Sequence, residues 1–200
     1  MERRDLYQQV ARLHVDNINK GFLATLGTGF VALMYQAIDE APASVLLVEE
    51  RDDRVVGFVA GGCGMGAIYK RMLRSPFRLG VALLPSLVRP GRILRILEIL
   101  RYSRGHSLPP NLPEAELLSI AVDPSCRGQQ VAERLYRRLE EHFRKTGILS
   151  YRIIVGEALA PAHKFYRRMG AVPTDQVAVH QGELSTVYVQ TLAQVQPHSP

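Results

Sequence analysis

Cysteine is scarce in this chain. Two thiols in 200 residues, Cys63 and Cys126, cannot build a disulfide framework, and they make no metal-ligand spacing with the six histidines. No metal is expected, and a reducing compartment, the cytoplasm, is the expected location. Long apolar runs are also missing. The longest uninterrupted one, Leu79–Val88, falls short of the ~18 residues that a membrane span requires. The start Met1-Glu2-Arg3-Arg4-Asp5 is charged, and no apolar signal core follows it. Glycine and proline show no triplet period, which excludes a collagen-like chain. With 46% hydrophobic and 22% charged residues, there is material for a globular core. One domain over residues 1–200 is expected, with a loose tail at 194–200.

Acid is nearly absent from one segment. Between Gly64 and Pro113 stand nine basic residues and one acid, Glu98, so this stretch carries +8 and leaves −2 for the rest of the chain. The charge therefore belongs to an insertion, 64–113, and not to the whole fold. Arg89-Pro90-Gly91 divides it into two expected helices. In the second, Arg92, Arg95, Glu98 and Arg101 form a narrow polar stripe beside a broad apolar face. Three uses fit that pattern: an acceptor-site lid for an anionic substrate, a peripheral element at the inner membrane surface through 70–104, or an extra helical layer packed on the domain. Nucleic acid fits poorly, because stacking aromatics are sparse there.

Around the insertion the elements alternate. Leu6, Val10, Leu13 and Asn17 share a helical face behind Asp5, a candidate cap; Phe30, Leu33, Met34, Ala37 and Ile38 repeat the spacing before Ala41-Pro42. Val45–Glu49 and Val55–Gly61 read as a hairpin around Arg51-Asp52-Asp53-Arg54, with Gly57 marking a bulge or a close backbone approach. Glu116–Val122 reads as a strand, about 130–145 as a helix, Tyr151–Val155 as a strand, and Pro161 to Gly170 bounds another helix. Gln176–His180 and Ser185–Thr191 form a last hairpin. The order implies an α/β (α+β) layer: a mixed, mostly antiparallel sheet with one central parallel pair, flanked by helices.

Chemistry concentrates where the Glu116 strand ends. Asp123-Pro124-Ser125-Cys126-Arg127-Gly128-Gln129-Gln130-Val131-Ala132 is a tight turn into a helix N-terminus, whose free N–H groups suit a phosphate or pyrophosphate. Gly128 permits close backbone approach and Arg127 adds charge. This stretch resembles the acetyl-CoA loop of the GNAT-type N-acetyltransferase superfamily, Arg/Gln-x-x-Gly-x-Gly/Ala after a strand ending Val-x-Pro. Gln130 stands where that family usually has glycine. Ala162-His163-Lys164-Phe165-Tyr166-Arg167-Arg168-Met169-Gly170-Ala171 is similar to the family's A-x-x-F-Y-x-x-x-G-F helix; Leu159 replaces the usual Asn and Ala171 the usual Phe. The resemblance covers roughly residues 5–62 and 114–192; about four residues precede the first helix, so the family's usual first strand is expected to be short, missing or supplied otherwise.

The resemblance implies acetyl-CoA as cosubstrate. It implies a loop site over Arg127, Gly128, Gln129, Gln130, Val131 and Ala132, and strand contacts to pantetheine from Ile120, Ala121 and Val122. It makes Tyr166 the candidate proton donor to the departing thiolate. Glu116 is the preferred general base, with Glu114 as alternate, and a direct attack fits the absence of a nucleophile triad. Cys126 and the histidines, including His14, His142 and His163, read as packing or surface groups. His106 has a smaller claim on the substrate. The expected acceptor is a small-molecule primary amine, with an amino sugar of surface-polysaccharide synthesis preferred, and a homodimer is open. The competing readings are a non-catalytic acyl-CoA-binding or interaction module, and acetylation of a protein, antibiotic or polyamine amine.

Overall fold

A computed structural model of the chain describes residues 3–18, 26–64, 68, 71–72, 80, 111–180 and 183–193. Its elements are α1 (Arg3–Asn17), α2 (Thr28–Glu40), β1 (Ser44–Arg51), β2 (Arg54–Cys63), β3 (Ala115–Val122), a 3-10 turn (Pro124–Cys126), α3 (Val131–Lys145), β4 (Ser150–Gly156), α4 (Ala160–Arg168), β5 (Val172–His180) and β6 (Glu183–Thr191). The six strands form one sheet in the order β1-β2-β3-β4-β6-β5. Every pairing is antiparallel except β3 with β4. This is the mixed sheet expected from the order of elements. Among the described residues no strand precedes α1.

The sheet separates two cores. Tyr7, Val10, Phe30, Val31, Tyr35 and Ile38 of α1 and α2 pack with Phe58 and Ala60 on one face. Leu135, Tyr136, Leu139 and Phe143 of α3 pack with Val59, Leu117, Tyr151 and Tyr188 on the other. Of the periodic apolar positions read from the sequence in α1 and α2, Val10, Leu13, Phe30, Met34, Ala37 and Ile38 are buried, and Leu6 and Leu33 are half-buried against the same core. Asp5 is not the cap of α1: the helix starts two residues earlier, and Asp5 sits in its first turn, accepting from Gln9 Nε2 at 2.9 Å. Its carboxylate there still favours the helix dipole.

Gly57 marks both things expected of it. A bulge lies beside it, where the β1–β2 register shifts between Glu49 and Glu50. It also lets α3 come close. A Cβ on Gly57 would lie 2.8 Å from Val131 Cγ1, and one on Gly61 would lie 2.7 Å from Leu139 Cδ1. The glycines are four apart, as are Val131, Leu135, Leu139 and Phe143, so α3 rides on a glycine track. That track places the N-terminus of α3 beside the end of β3, which builds the site.

Most of the basic insertion, and with it the lid reading of 64–113 and the membrane reading of 70–104, lies outside the described residues, as do His106 and the tail. Of its described positions, Ile68 and Met72 are buried in the α1–α2 core, and Arg71 pairs with Glu40 of α2 at 3.2 Å. No described helix is long and apolar enough to cross a membrane.

Candidate functional site

β3 and β4 pair only at Glu116↔Arg152 and Leu117↔Ile153. Beyond that point the strands part. The cause is visible on the other side of β3, where the β2 register steps from Gly61↔Leu117 to Ala60↔Ser119, leaving Leu118 as an extra residue. A bulge bends the strand that carries it and ends regular pairing. From Ser119 to Val122, β3 is therefore held by β2 alone, and Ile154–Gly156 of β4 by β6 alone. The result is a fork in the sheet with two strand edges facing each other.

The direction of the free amides follows from one bond. Asp123 N–H donates to Val56 O at 2.9 Å, toward β2. Backbone groups alternate along a strand, so Ala121 also points to β2, while Ile120 and Val122 turn theirs into the fork. The Ile120 and Val122 side chains pack against the α3–α4 core, and Ala121 belongs to the opposite core.

At the wide end of the fork the chain makes its turn. Asp123 Oδ1 accepts from Ser125 N at 2.9 Å and Ser125 Oγ at 2.6 Å. These bonds hold the Asp123 carboxyl below its usual range. Cys126, just after it, is buried and free. Gly128 takes φ +76° and Gln130 takes φ +59°. A Cβ on Gly128 would meet nothing within 4 Å, so its open space faces outward. The first helical backbone bond at this end of α3 comes from Arg134 N to Gln130 O. Among the described residues, nothing accepts from the N–H groups of residues 128–133. Six unspent donors at one helix end have the geometry and sign that would suit an anion.

The loop's side chains are less free than the sequence implied. Arg127 donates to Asn17 Oδ1 at 2.7 Å and ties the loop to the end of α1. Gln129 accepts from Arg51 and donates to Ser125 O. Gln130 occupies a left-handed position that costs an L-residue about 1–2 kcal/mol, against roughly 0.5–1 kcal/mol for the extra chain entropy of glycine. Gln130→Gly is expected to stabilise the protein by about 0.5 kcal/mol in chemical denaturation. A loss of stability would show that the Gln130 conformation is not strained.

Tyr166 lies on α4 against Tyr136, Phe165 and Tyr188, ring to ring at 5.3–6.2 Å. Burial pushes its phenol far above the ordinary range, so it stays protonated through neutral pH. Glu116 stands at the apex of the fork. Its Oε2 accepts from Arg152 Nε at 2.9 Å, and Arg152 also donates to Pro113 O. Burial raises the Glu116 carboxyl and Arg152 opposes that rise. Glu114, the alternate, is exposed. Sequence reasoning left two groupings unread. His163 joins Tyr188 Oη (2.8 Å) to Gly156 O (3.2 Å), closing the β4–α4 corner. His14, Tyr35 and Ser119 form a chain under β3. Three of their four bonds join residues 21 to 84 positions apart, so only the fold assembles them. No group that could hold a metal occurs among the described residues.

The model of the acetyltransferase (GNAT) family matches residues 15–171. The chain belongs to this family. It is an N-acetyltransferase domain, and acetyl-CoA is its cosubstrate. The solved structures similar to this GNAT acetyltransferase include an aminoglycoside 6'-acetyltransferase type Ii, at 13% identity, TM-score 0.61, with 98% of this chain and 97% of that one covered. They also include Ard1 from Thermoplasma volcanium, at 18% identity, TM-score 0.52, covering 84% and 81%. A third, described as a streptothricin acetyltransferase from Bacillus anthracis str. Ames, was solved with acetyl coenzyme A; it shares 12% identity, TM-score 0.51, covering 80% and 69%. At these identities they establish likeness of fold. A search of curated protein sequences gives no match. The chain's own residues fit acetyl-CoA: the unspent N–H groups of 128–133 suit its pyrophosphate, and the fork presents strand amides to its pantetheine arm.

Proposed function

We propose that this acetyltransferase transfers the acetyl group of acetyl-CoA directly to a primary amine of a small molecule, within the β3–β4 fork. The observation that carries the reading is the fork itself, open from Ser119 and ending at the donor-rich loop. In this reading the N–H groups of Gly128, Gln129, Gln130, Val131 and Ala132 hold the pyrophosphate. The turned-out amides of Ile120 and Val122 pair with pantetheine, with Ala121 fixing the strand between them. Arg127 serves chiefly by pinning the loop to Asn17.

The amine nitrogen bonds to the thioester carbon and the carbon–sulfur bond breaks. Glu116 takes the amine's proton through water on its Oε1, the oxygen that Arg152 leaves unused. Tyr166, protonated and one α4 turn from the His163 corner, gives its proton to the departing sulfur. Tyr166→Phe is expected to lower turnover about 10–100-fold while acetyl-CoA binding persists. Steady-state kinetics beside calorimetric titration check this; unchanged turnover would remove Tyr166 from the mechanism.

For the acceptor we favour an amino sugar or its nucleotide- or lipid-linked form. The nine basic residues of 64–113 suit an anionic carrier; Arg71, the one of them that lies within the described residues, is paired with Glu40. The first test is isothermal titration with acetyl-CoA, CoA and dephospho-CoA. Micromolar binding supports the loop reading and leads to an acceptor screen over amino sugars, an aminoglycoside, spermidine and a peptide amine. Absence of binding overturns it.

A further inference from the structure

Three polar side chains from three elements meet in a core that is otherwise apolar. His14 of α1 bonds through Nδ1 to Tyr35 Oη of α2 at 2.7 Å. Tyr35 Oη bonds to Ser119 Oγ of β3 at 2.8 Å. One end is sealed: His14 is 3% exposed and stacked on Phe58, and among the described residues its Nε2 has no partner. The other end is half-buried at Ser119, the first residue past the bulge where the fork opens.

The sealed end sets the direction of the chain. A neutral imidazole carries one N–H, and it lies on either Nδ1 or Nε2. If it lay on Nε2, a buried N–H would be orphaned. That defect is rarer and costlier than an unused acceptor lone pair. The proton therefore belongs on Nδ1, which donates to Tyr35 Oη. Tyr35 in turn spends its own proton on Ser119 Oγ. Ser119 accepts from Tyr35, so the Ser119 hydroxyl proton is not spent on Tyr35 and is left for another acceptor. Burial lowers the His14 ring to about 4, so at neutral pH the chain carries no charge and cannot serve as a proton sink.

The position of Ser119 says what that proton meets. On the reading above, the pyrophosphate sits at the wide end of the fork and the pantetheine arm runs along Val122 and Ile120 toward the apex. The acyl end then arrives beside Ser119. We infer that Ser119 Oγ–H, oriented by Tyr35 and His14, is a hydrogen-bond donor to the thioester carbonyl oxygen of the bound acyl-CoA. No atom is transferred through Ser119; its donor strengthens as negative charge gathers on that oxygen. This inference rests on the proposed placement of acetyl-CoA in the fork.

Two measurements on the full chain test it separately from that placement. Long-range 15N NMR of the histidines at pH 7 is expected to show His14 protonated at Nδ1; protonation at Nε2 reverses the chain and overturns the inference. Titration then compares acetyl-CoA with CoA. Ser119→Ala is expected to weaken acetyl-CoA about fivefold and leave CoA unchanged, as one lost neutral hydrogen bond would. Ser119→Thr, which keeps the hydroxyl, is expected to restore the ratio. An unchanged acetyl-CoA to CoA ratio in Ser119→Ala overturns the contact. Failure of the wild-type protein to bind either ligand sinks the fork reading, and with it this contact, whatever the NMR result.

Discussion

Acidification from pH 6.5 to pH 4 is expected to cost the protein about 3 kcal/mol through His14 alone. The ring is lowered from 6.5 to about 4, and burial is the cause. Among the described residues its ring meets Tyr35 and Phe58, neither of them a carboxylate that could hold an imidazolium. The sign follows from proton counts. Between pH 6.5 and 4 the unfolded chain binds a proton at this histidine and the folded chain does not. Stability is therefore full above pH 6.5 and falls as pH drops toward 4. Glu116 works the other way: its carboxyl is raised in the fold, so its contribution improves as pH falls. Urea denaturation as a function of pH reads the net slope. In His14→Gln the slope between pH 6.5 and 4 is expected to flatten, whatever that variant loses at pH 7. An identical slope in both proteins would assign the acid lability elsewhere.

Removing Arg152 is the second large effect. Arg152→Leu leaves the Glu116 carboxylate at the fork apex, 20% exposed at the side chain, with its charge uncompensated. Breaking such a pair costs about 3 kcal/mol at pH 7, most of it the burden of the stranded charge. Two companion results identify that cause. The deficit is expected to shrink as pH falls, because burial raises the Glu116 carboxyl and the variant lacks the arginine that opposes that rise. The double variant Glu116→Leu/Arg152→Leu is expected to recover much of the loss, because neither charge remains. A deficit that is independent of pH and unchanged in the double variant would mean that Arg152 acts through its bond to Pro113 O instead. Exposed pairs such as Lys145–Glu141 carry no comparable expectation, since water screens them.

The elements of the fold were legible because their patterns are local. The four-residue apolar spacing of Val131, Leu135, Leu139 and Phe143 marks α3 without reference to any other part of the chain, and these side chains are buried. Gly128 at φ +76° and Gly170 at φ +93° stand at the turns where the sequence places them. The sequence pattern places the start of α1 at Leu6, three residues late, because a helix end depends on the competition between several candidate caps. The site was legible only as a run of residues. Nothing between Glu116 and Val122 announces that Leu118 is the extra residue of a bulge, since that is a statement about register against β2. The involvement of Arg127 with Asn17, across 110 residues, has no local signature at all.

The sequence by itself determined the strand–turn–helix stretch 116–145, the order of elements, the family and hence the cosubstrate. All of these depend on short-range spacing and on residue types that act through their own backbone. Tertiary structure alone decided where β3 leaves β4, which amides face the fork, that Glu116 carries Arg152, and that His14 and Tyr35 stand behind Ser119. Those facts depend on pairing register and on desolvation, and both are properties of surfaces brought together from distant parts of the chain. A carboxylate or an imidazole has its ordinary chemistry until the fold chooses its neighbours and removes its water.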